Sequence, residues 1–265
     1  MKMLTFSGRT AKEILRDPLT VGLGLGFPLI VLLLLTAIQK NVPVPLFVLD
    51  SLTPGVAVFG LAFVALFAAL LISKDRSGSF IQRLYTTPLT AWDYILGYTL
   101  PLVPIGLAQS VICYAVAVCL GLPVAGNILW AIVTELPAIL FFIGLGLLCG
   151  TVFNDKQVGG LCGALLTNLT AWLSGTWFDV SLVGGWFLKI ANALPFIHAV
   201  QLQRAALGGD LAGILPHLWW VLGYMAGAVI LAVWNTYVSP FPAFIMPLPL
   251  IVDGYTPFVL PSMVM

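Results

Sequence analysis

Charged residues are scarce in this sequence: Asp, Glu, Lys and Arg make up 8% of its 265 residues. Soluble domains carry about 25%, and a protein of this size needs that charge to cover its surface in water. Hydrophobic residues make up 60%, so we predict that the chain lies in a lipid bilayer. The net charge of +1 offers little attraction to a polyanion, and no nucleic-acid partner is expected.

Motifs of nucleotide hydrolysis are also missing. No lysine follows a glycine anywhere in the sequence, which excludes the phosphate-binding loop GxxxxGK[ST]. Neither HExxH nor GxSxG occurs, and the four cysteines and two histidines lack the spacing of a metal site. We therefore predict that the chain is not an enzyme and that it holds no metal and no cofactor of its own.

Long hydrophobic runs dominate what is present, and six of them reach the length of about 20 residues that crosses a bilayer. They lie near residues 19–39, 55–73, 94–121, 128–151, 157–178 and 214–234. We predict an all-α integral membrane protein with six transmembrane helices in residues 1–234. Small-residue helix contacts are expected at Gly22, Gly24, Gly26, Gly159 and Gly163.

Basic residues favour one orientation. With the N-terminus inside, eight of the eleven Lys and Arg residues fall on the inner side, as the positive-inside rule requires. We expect a multi-pass protein of the cell (plasma) membrane with a cytoplasmic N-terminus.

Polar segments between and before the spans carry further signals. Thr10 and Glu13 have capping-box spacing, which predicts an amphipathic interfacial helix at about residues 5–17. Pro88 ends a second amphipathic segment at about residues 77–88, and Thr90 with Asp93 predicts a capping box that starts the third span. The residues alone leave open whether segment 77–88 lies on lipid or docks on a protein.

Two more regions interrupt the apolar pattern. Residues at about 179–213 are too polar for a span and too apolar for a free loop, which predicts re-entrant outer helices. Residues 235–265 hold six prolines and predict an irregular tail. Glu135 is the one acid well inside a predicted span. It is either a functional group or a residue near the outer interface.

Four stretches together resemble one family. They are KDRSGSFIQRLYTTPLTAWDYILGYTLP (74–101), RTAKEILRDPLTVGLGLGFPLIVLLLL (9–35), SGTWFDV (174–180) and LPFIHAVQLQRAALGGDL (194–211). Their order and spacing are similar to those of ATP-binding-cassette (ABC) transporter permeases of the type-2 exporter class, in particular the multidrug or antibiotic-resistance type.

The resemblance implies an elbow helix, a cytosolic coupling helix and re-entrant helices before the last span. It implies a membrane subunit that exports small amphipathic or lipid-like compounds. Its partners would be a separate ATPase, which binds ATP and Mg, and a second permease subunit, identical or not. The ATPase would contact Ser79, Phe80, Ile81, Arg83, Leu84, Tyr85 and Pro88 of the coupling helix. Arg9, Glu13 and Arg16 of the elbow helix would touch the ATPase or lipid headgroups.

The substrate path would form between subunits, lined by the first, second and fifth spans. Candidates on it are Glu135, Thr167, Asn168, Thr170 and Trp172, and the alternative for the last four is an interhelical hydrogen bond or packing contact. Other functions remain open. A secondary, ion-coupled transporter would need several midplane ionisable groups, an intramembrane enzyme would need paired catalytic groups, and a non-transporting membrane scaffold is compatible with the composition.

Overall fold

The structure, a computed structural model, describes residues 2–78, 90–124 and 126–238, and its regular elements in these ranges are helices without any strand. The first six helices are α1 (Lys2–Leu15), α2 (Pro18–Asn41), α3 (Leu49–Ser77), α4 (Ala91–Leu120), α5 (Asn127–Thr134) and α6 (Leu136–Val152). Then follow α7 (Asp155–Val158), a π-helical segment (Gly159–Leu166), α8 (Thr167–Leu173), a 3-10 turn (Val180–Leu182), α9 (Gly185–Ala193), α10 (Pro195–Gly208) and α11 (Leu211–Val238). The all-helical class is confirmed for the described residues.

Five helical stretches of the described chain are long and apolar enough to cross a membrane. They are Gly24–Asn41, Leu49–Ser77, Trp92–Leu120, Asn127–Val152 (α5 and α6 together) and Leu211–Asn235. Each coincides with one of the hydrophobic runs, because a run of about 20 apolar residues can satisfy its backbone in lipid only as a helix.

The remaining predicted span, 157–178, is built differently. It contains α7, the π-helical segment and α8 in direct succession, and none of these pieces alone has the length of a span. The six-span arrangement therefore stays a prediction.

Helix α3 is the centre of the bundle. Its residues are buried along most of its length, and it packs against α2, α4, α6 and α10. Helix α6 approaches α3 closely at Gly146 and Gly150. A Cβ on Gly150 would lie 2.6 Å from the Ala69 carbonyl oxygen, and one on Gly146 would overlap the Ala65 carbonyl oxygen. Small residues thus allow these two helix backbones to touch.

The small-residue contacts expected from the sequence are only partly present. Gly24 faces Phe67 and Gly163 faces Leu66, both on α3, whereas a Cβ on Gly22, Gly26 or Gly159 would meet open space. The expectation is therefore wrong for these last three glycines within this chain.

The N-terminal helix also differs from the prediction. It begins at Lys2 rather than near Thr10, and the Thr10 hydroxyl donates to the Phe6 carbonyl 3.1 Å away within the helix. The capping box predicted at Thr10 and Glu13 is therefore wrong. Phe6 and Ile14 are buried in the main core, whereas Leu15 is 73% exposed. The apolar face of α1 thus packs largely on protein.

The region 179–213 forms helices, as the sequence indicated: α9, α10 and the start of α11. Helix α10 is largely buried and packs on α3, α5 and α11. Asp210 starts α11 by accepting hydrogen bonds from the backbone N–H groups of Ala212 and Gly213, both at 3.1 Å. Their re-entrant position in a membrane stays a prediction. Of the predicted tail 235–265, the first four residues belong to α11 and the rest lies outside the described residues.

Candidate functional site at the ends of α3 and α4

The polar segment that follows α3 is held between two fixed helix ends. Helix α3 ends at Ser77 and α4 begins at Ala91, and residues 79–89 between them lie outside the described residues. The last turn of α3 carries three consecutive charged residues, Lys74, Asp75 and Arg76. Lys74 and Asp75 bond to α1, Asp75 also bonds to α4, and Arg76 bonds to α6.

Asp75 is the centre of this arrangement, although only 4% of it is exposed. Arg9 of α1 donates from Nη1 to Oδ2 at 2.8 Å and from Nη2 to Oδ1 at 2.9 Å. The Tyr98 hydroxyl of α4 donates to Oδ2 at 2.6 Å. A bidentate guanidinium–carboxylate pair is among the stronger and more directional polar contacts. One carboxylate thus ties three helices together.

Two further ion pairs extend this group, which we name the Asp75 cluster: Arg9, Glu13, Lys74, Asp75 and Tyr98. Glu13 bonds to Arg9 at 2.9 Å and to Lys74 at 3.5 Å. The hydrogen bond to Asp75 is the main reason why the pKa of the Arg9 guanidinium is raised above its ordinary value. Arg9 therefore stays charged, and the cluster holds α1 against the last turn of α3.

Arg76 anchors the same turn in another direction. Its Nη1 donates to the carbonyl oxygen of Gly150 at 3.0 Å, near the end of α6. Such a bond between a cation and a helix C-terminal carbonyl is favourable because both the charge and the helix dipole contribute. The last turn of α3 is therefore bonded to α1, α4 and α6 at once.

Aromatic packing supports the contact between α1 and α4. The Phe6 ring meets the Tyr98 ring edge to face, with centroids 5.0 Å apart, and lies 6.2 Å from the Tyr94 ring. Gly97 makes room for it, since a Cβ there would overlap the Phe6 ring. Because Tyr98 also bonds to Asp75, the apolar and polar contacts act on the same side chain.

The first turn of α4 is capped as predicted. The Thr90 hydroxyl oxygen accepts from the Asp93 backbone N–H at 3.2 Å, and the Asp93 carboxylate accepts from the Thr90 backbone N–H at 3.1 Å. Both halves of a capping box are present, which satisfies N–H groups that the helix itself leaves free. The segment 79–89 thus joins a rigid helix start.

Substitution of Thr90 by Ala is expected to loosen this start. Loss of a side-chain N-cap costs about 1 kcal/mol, which corresponds to a roughly fivefold larger equilibrium constant for local opening. Amide hydrogen exchange at Asp93 and Tyr94 would measure it. The control is Thr90→Ser, which keeps the hydroxyl and should exchange like the parent. Equal exchange in all three proteins would show that the cap does not hold the helix start.

The residues predicted for ATPase coupling cannot be placed. Ser79, Phe80, Ile81, Arg83, Leu84, Tyr85 and Pro88 all lie outside the described residues. Of the three predicted elbow residues, Arg9 and Glu13 are brought together in the Asp75 cluster. Arg16 is exposed beside Lys12 and Asp17 at the rim of an open polar cavity. Contact of these residues with an ATPase stays a prediction.

The predicted substrate-path residues separate into two places. Thr167 and Thr170 of α8 are buried and donate to the carbonyls of Gly163 and Leu166 in the π-helical segment, at 2.6 and 2.8 Å. Asn168 donates to the Ala164 carbonyl at 2.7 Å, and both it and Trp172 are exposed. Glu135 instead lies inside the bundle, fully buried. Whether any of them touches substrate stays a prediction.

Sequence reasoning missed Asp75 and Tyr98 as members of a site. In the sequence Asp75 is one of three adjacent charged residues, and nothing there connects it to Arg9, 66 positions away. An acid placed at the end of an otherwise apolar helix could have been the signal, because a charge in that position needs a partner.

The chemistry of the Asp75 cluster is that of positioning. It consists of charge-assisted hydrogen bonds around one buried carboxylate. In the part of the chain that the structure describes, no group of three or more His, Cys, Asp or Glu side chains could hold a metal ion. The arrangement fixes where the polar segment between α3 and α4 enters and leaves the bundle.

Comparison with known proteins adds independent information. The model of the family described as "ABC-2 type transporter" matches residues 2–207. Among curated proteins, the probable multidrug ABC transporter permease YbhR of Escherichia coli strain K12 is 25% identical over 167 residues, which cover 63% of this chain and 45% of YbhR. The probable multidrug ABC transporter permease YbhS of the same strain is 26% identical over 157 residues, covering 57% and 41%. The chain thus matches less than half the length of either relative.

Proposed function

Because this chain belongs to the ABC-2 type transporter family, and thus is a membrane component of an ABC transporter, we propose that it works in an ATP-driven exporter powered by a separate ATPase subunit. That ATPase would act on the segment at about residues 77–88. The observation that carries this proposal is the anchoring of α3 next to that segment, through Asp75 to α1 and α4 and through Arg76 to α6.

The mechanism follows from where the segment is attached. ATP can change the conformation of this chain only if the partner binds the segment differently in its two nucleotide states. Displacement of residues 79–89 would act on the last turn of α3 and on the capped start of α4. Since the Asp75 cluster links both helices to α1, the three would move together, and α6 would follow through Gly150.

The cargo we propose is a small amphipathic or lipid-like compound. The names of YbhR and YbhS describe probable multidrug ABC transporter permeases, which favours this class of substrate. The path would lie between this chain and a second permease subunit, identical or different, in the cell membrane with the N-terminus in the cytoplasm. Among the predicted path residues of α8, Asn168 and Trp172 are exposed, which supports their access to such a partner or substrate.

Replacement of Phe80 and Leu84 by Asp tests the coupling. Two carboxylates on the predicted apolar face of the segment are expected to weaken docking by about tenfold or more. The permease would be purified from its native membranes, and the ATP hydrolysis that co-purifies with it would be measured together with export. Both should fall, while the helical content of the permease stays unchanged.

Val124→Asp is the matched control. Val124 is 81% exposed in the connection after α4, at the other end of that helix, so it should keep the co-purifying hydrolysis. Retention of full hydrolysis and export by the Phe80/Leu84 double variant would contradict the proposal. So would a permease that never co-purifies with an ATPase.

A further inference from the structure

Glu135 marks a break in the fourth predicted span. It stands between α5, which ends at Thr134, and α6, which begins at Leu136. Pro137 has no backbone N–H and cannot donate to the carbonyl four residues earlier, that of Val133. The Glu135 backbone N–H bonds to the Val133 carbonyl instead. The carboxyl group therefore sits at a joint between two helices rather than on a continuous one.

The Glu135 side chain is buried, and the Ser110 hydroxyl of α4 lies near its carboxyl. The residue is 0% exposed, and neither carboxyl oxygen has a hydrogen bond of good geometry. In the described ranges no Lys, Arg or His forms an ion pair with it. An ionised carboxylate in that situation costs several kcal/mol. The neutral acid does not carry that cost.

Other unpaired polar atoms occur on the helices packed around this joint. The Gln109 amide of α4 donates to the Ala57 carbonyl at 3.0 Å, but its oxygen has no partner. Gln203 of α10 accepts from the Tyr114 hydroxyl at 3.3 Å, but its amide nitrogen has none. One buried acceptor and one buried donor thus remain, on the helices that face α5.

An apolar cluster next to Glu135 joins the same helices. Ala131, one turn before Glu135, belongs to one cluster with Leu52 of α3, Tyr114 of α4 and Ala206 of α10. Ser110 and Tyr114 of α4 lie on the side that faces the Glu135 carboxyl. A protonated carboxyl offers one O–H donor and one carbonyl acceptor. These complement the unpaired Gln109 oxygen and the unpaired Gln203 nitrogen, which a bridging water could connect to it.

The titratable groups around Glu135 are few. From α4 they are Cys113 and Tyr114. On α10, His198 bonds to His217 and to the Asn192 carbonyl, while Arg204 bonds to the carbonyls of Ser51 and Gly175. On α3 the charged residues stand in its first turn and last turn, and α5 has none. No described cation is therefore in a position to neutralise Glu135.

We propose that Glu135 is a proton-binding site inside the helix bundle. Its carboxyl takes one proton from hydronium, leaving water, and holds it as the neutral acid in the conformation described. It returns the proton to water when the joint between Val133 and Pro137 opens. This goes beyond an exporter driven by ATP alone, because it adds a proton that is bound and released as the bundle changes conformation.

Infrared spectroscopy of the full chain in lipid nanodiscs tests the proposal. The parent protein should show the carbonyl stretch of a protonated carboxylic acid, shifted in D₂O and lost as the pH is raised. Glu135→Gln, which keeps the shape of the side chain, should lack this band at every pH. The control is Asp50→Asn, which removes an exposed carboxylate and should leave the band unchanged.

A second measurement uses the unaltered protein, so it does not depend on the folding of a variant. Dicyclohexylcarbodiimide reacts with protonated carboxyls in apolar surroundings, and mass spectrometry should locate its adduct on Glu135, in lower yield at alkaline pH.

Absence of both the Glu135-dependent band and the adduct overturns the proposal. A different result would be that sodium stabilises the parent protein more than an organic cation does, and that Glu135→Gln removes this difference. Such a result would identify a metal-cation site instead. It would also overturn the proposal. Neither outcome bears on the coupling segment, so the ATPase proposal stands or falls separately.

Discussion

Leucine in place of Gly146 is expected to prevent the normal packing of α3 on α6. Even the first side-chain atom would overlap the Ala65 carbonyl oxygen and lie 2.8 Å from the Ala68 Cβ. These are backbone or short side-chain atoms, which cannot turn away, so the two helices would have to separate. Overpacking at such a contact costs about 3 kcal/mol, a large share of the stability of an ordinary domain. Thermal unfolding in detergent, followed by size-exclusion chromatography, would show a lower melting temperature and aggregated protein.

The control is Gly223→Ala on α11, where an added Cβ meets nothing within 4 Å of it in this chain. Alanine is the better helix former, so this variant should be as stable as the parent or slightly more so. Gly150→Leu should resemble Gly146→Leu, because Gly150 touches Ala69 in the same way. Normal melting of Gly146→Leu would mean that α3 and α6 do not approach as closely as described.

The second large effect is expected from Asp75→Asn. The amide keeps the size of the carboxylate but can no longer receive two charged hydrogen bonds from Arg9. Removing one partner of a buried pair costs about 3–5 kcal/mol, much less when the other partner can reach water. Arg9 is partly exposed, so we expect about 2 kcal/mol. Proteolysis or hydrogen exchange should show α1 released from the bundle, and export should fall because α1 no longer follows α3.

A double-mutant cycle separates the pair from other effects. If Arg9 acts on Asp75, then Arg9→Gln together with Asp75→Asn should cost less than the sum of the single changes. Arg16→Gln is the control, since Arg16 is exposed directly after the end of α1 and outside the cluster. Additive costs for Arg9 and Asp75 would contradict a direct contribution of their bond to stability.

The sequence predicted those features that depend on neighbouring residues. Five hydrophobic runs form helices of membrane-spanning length. Within each run the apolar side chains suit lipid, and the helix satisfies the backbone hydrogen bonds of the same residues. The Thr90–Asp93 capping box formed because its partners are three residues apart. Thr10 and Glu13 have the same spacing but lie inside a helix that starts at Lys2. There the tertiary packing of Phe6 extended the helix past the local signal.

Features that join distant residues could not be predicted in this way. The Gly146–Gly150 spacing is visible in the sequence, yet the spacing does not say which helix it touches, and the glycines of the first span looked equally suitable. The Asp75 cluster needs α1, α3 and α4 to pack before Arg9 and Tyr98 reach one carboxylate. For Glu135 the sequence left two readings open, and only the packing of α4, α5 and α10 shows that it is buried.

The uneven exposure of the Asp75 cluster means that dissolved ions act on only part of it. Mobile ions screen exposed charges over about 8 Å at physiological ionic strength. The Lys74 side chain is 71% exposed and its pair with Glu13 spans 3.5 Å, so salt weakens that contact. The Asp75 side chain is 5% exposed and shielded from those ions. In concentrated salt, the Lys74–Glu13 pair would therefore weaken, whereas the Arg9–Asp75 pair would keep α1 attached to α3.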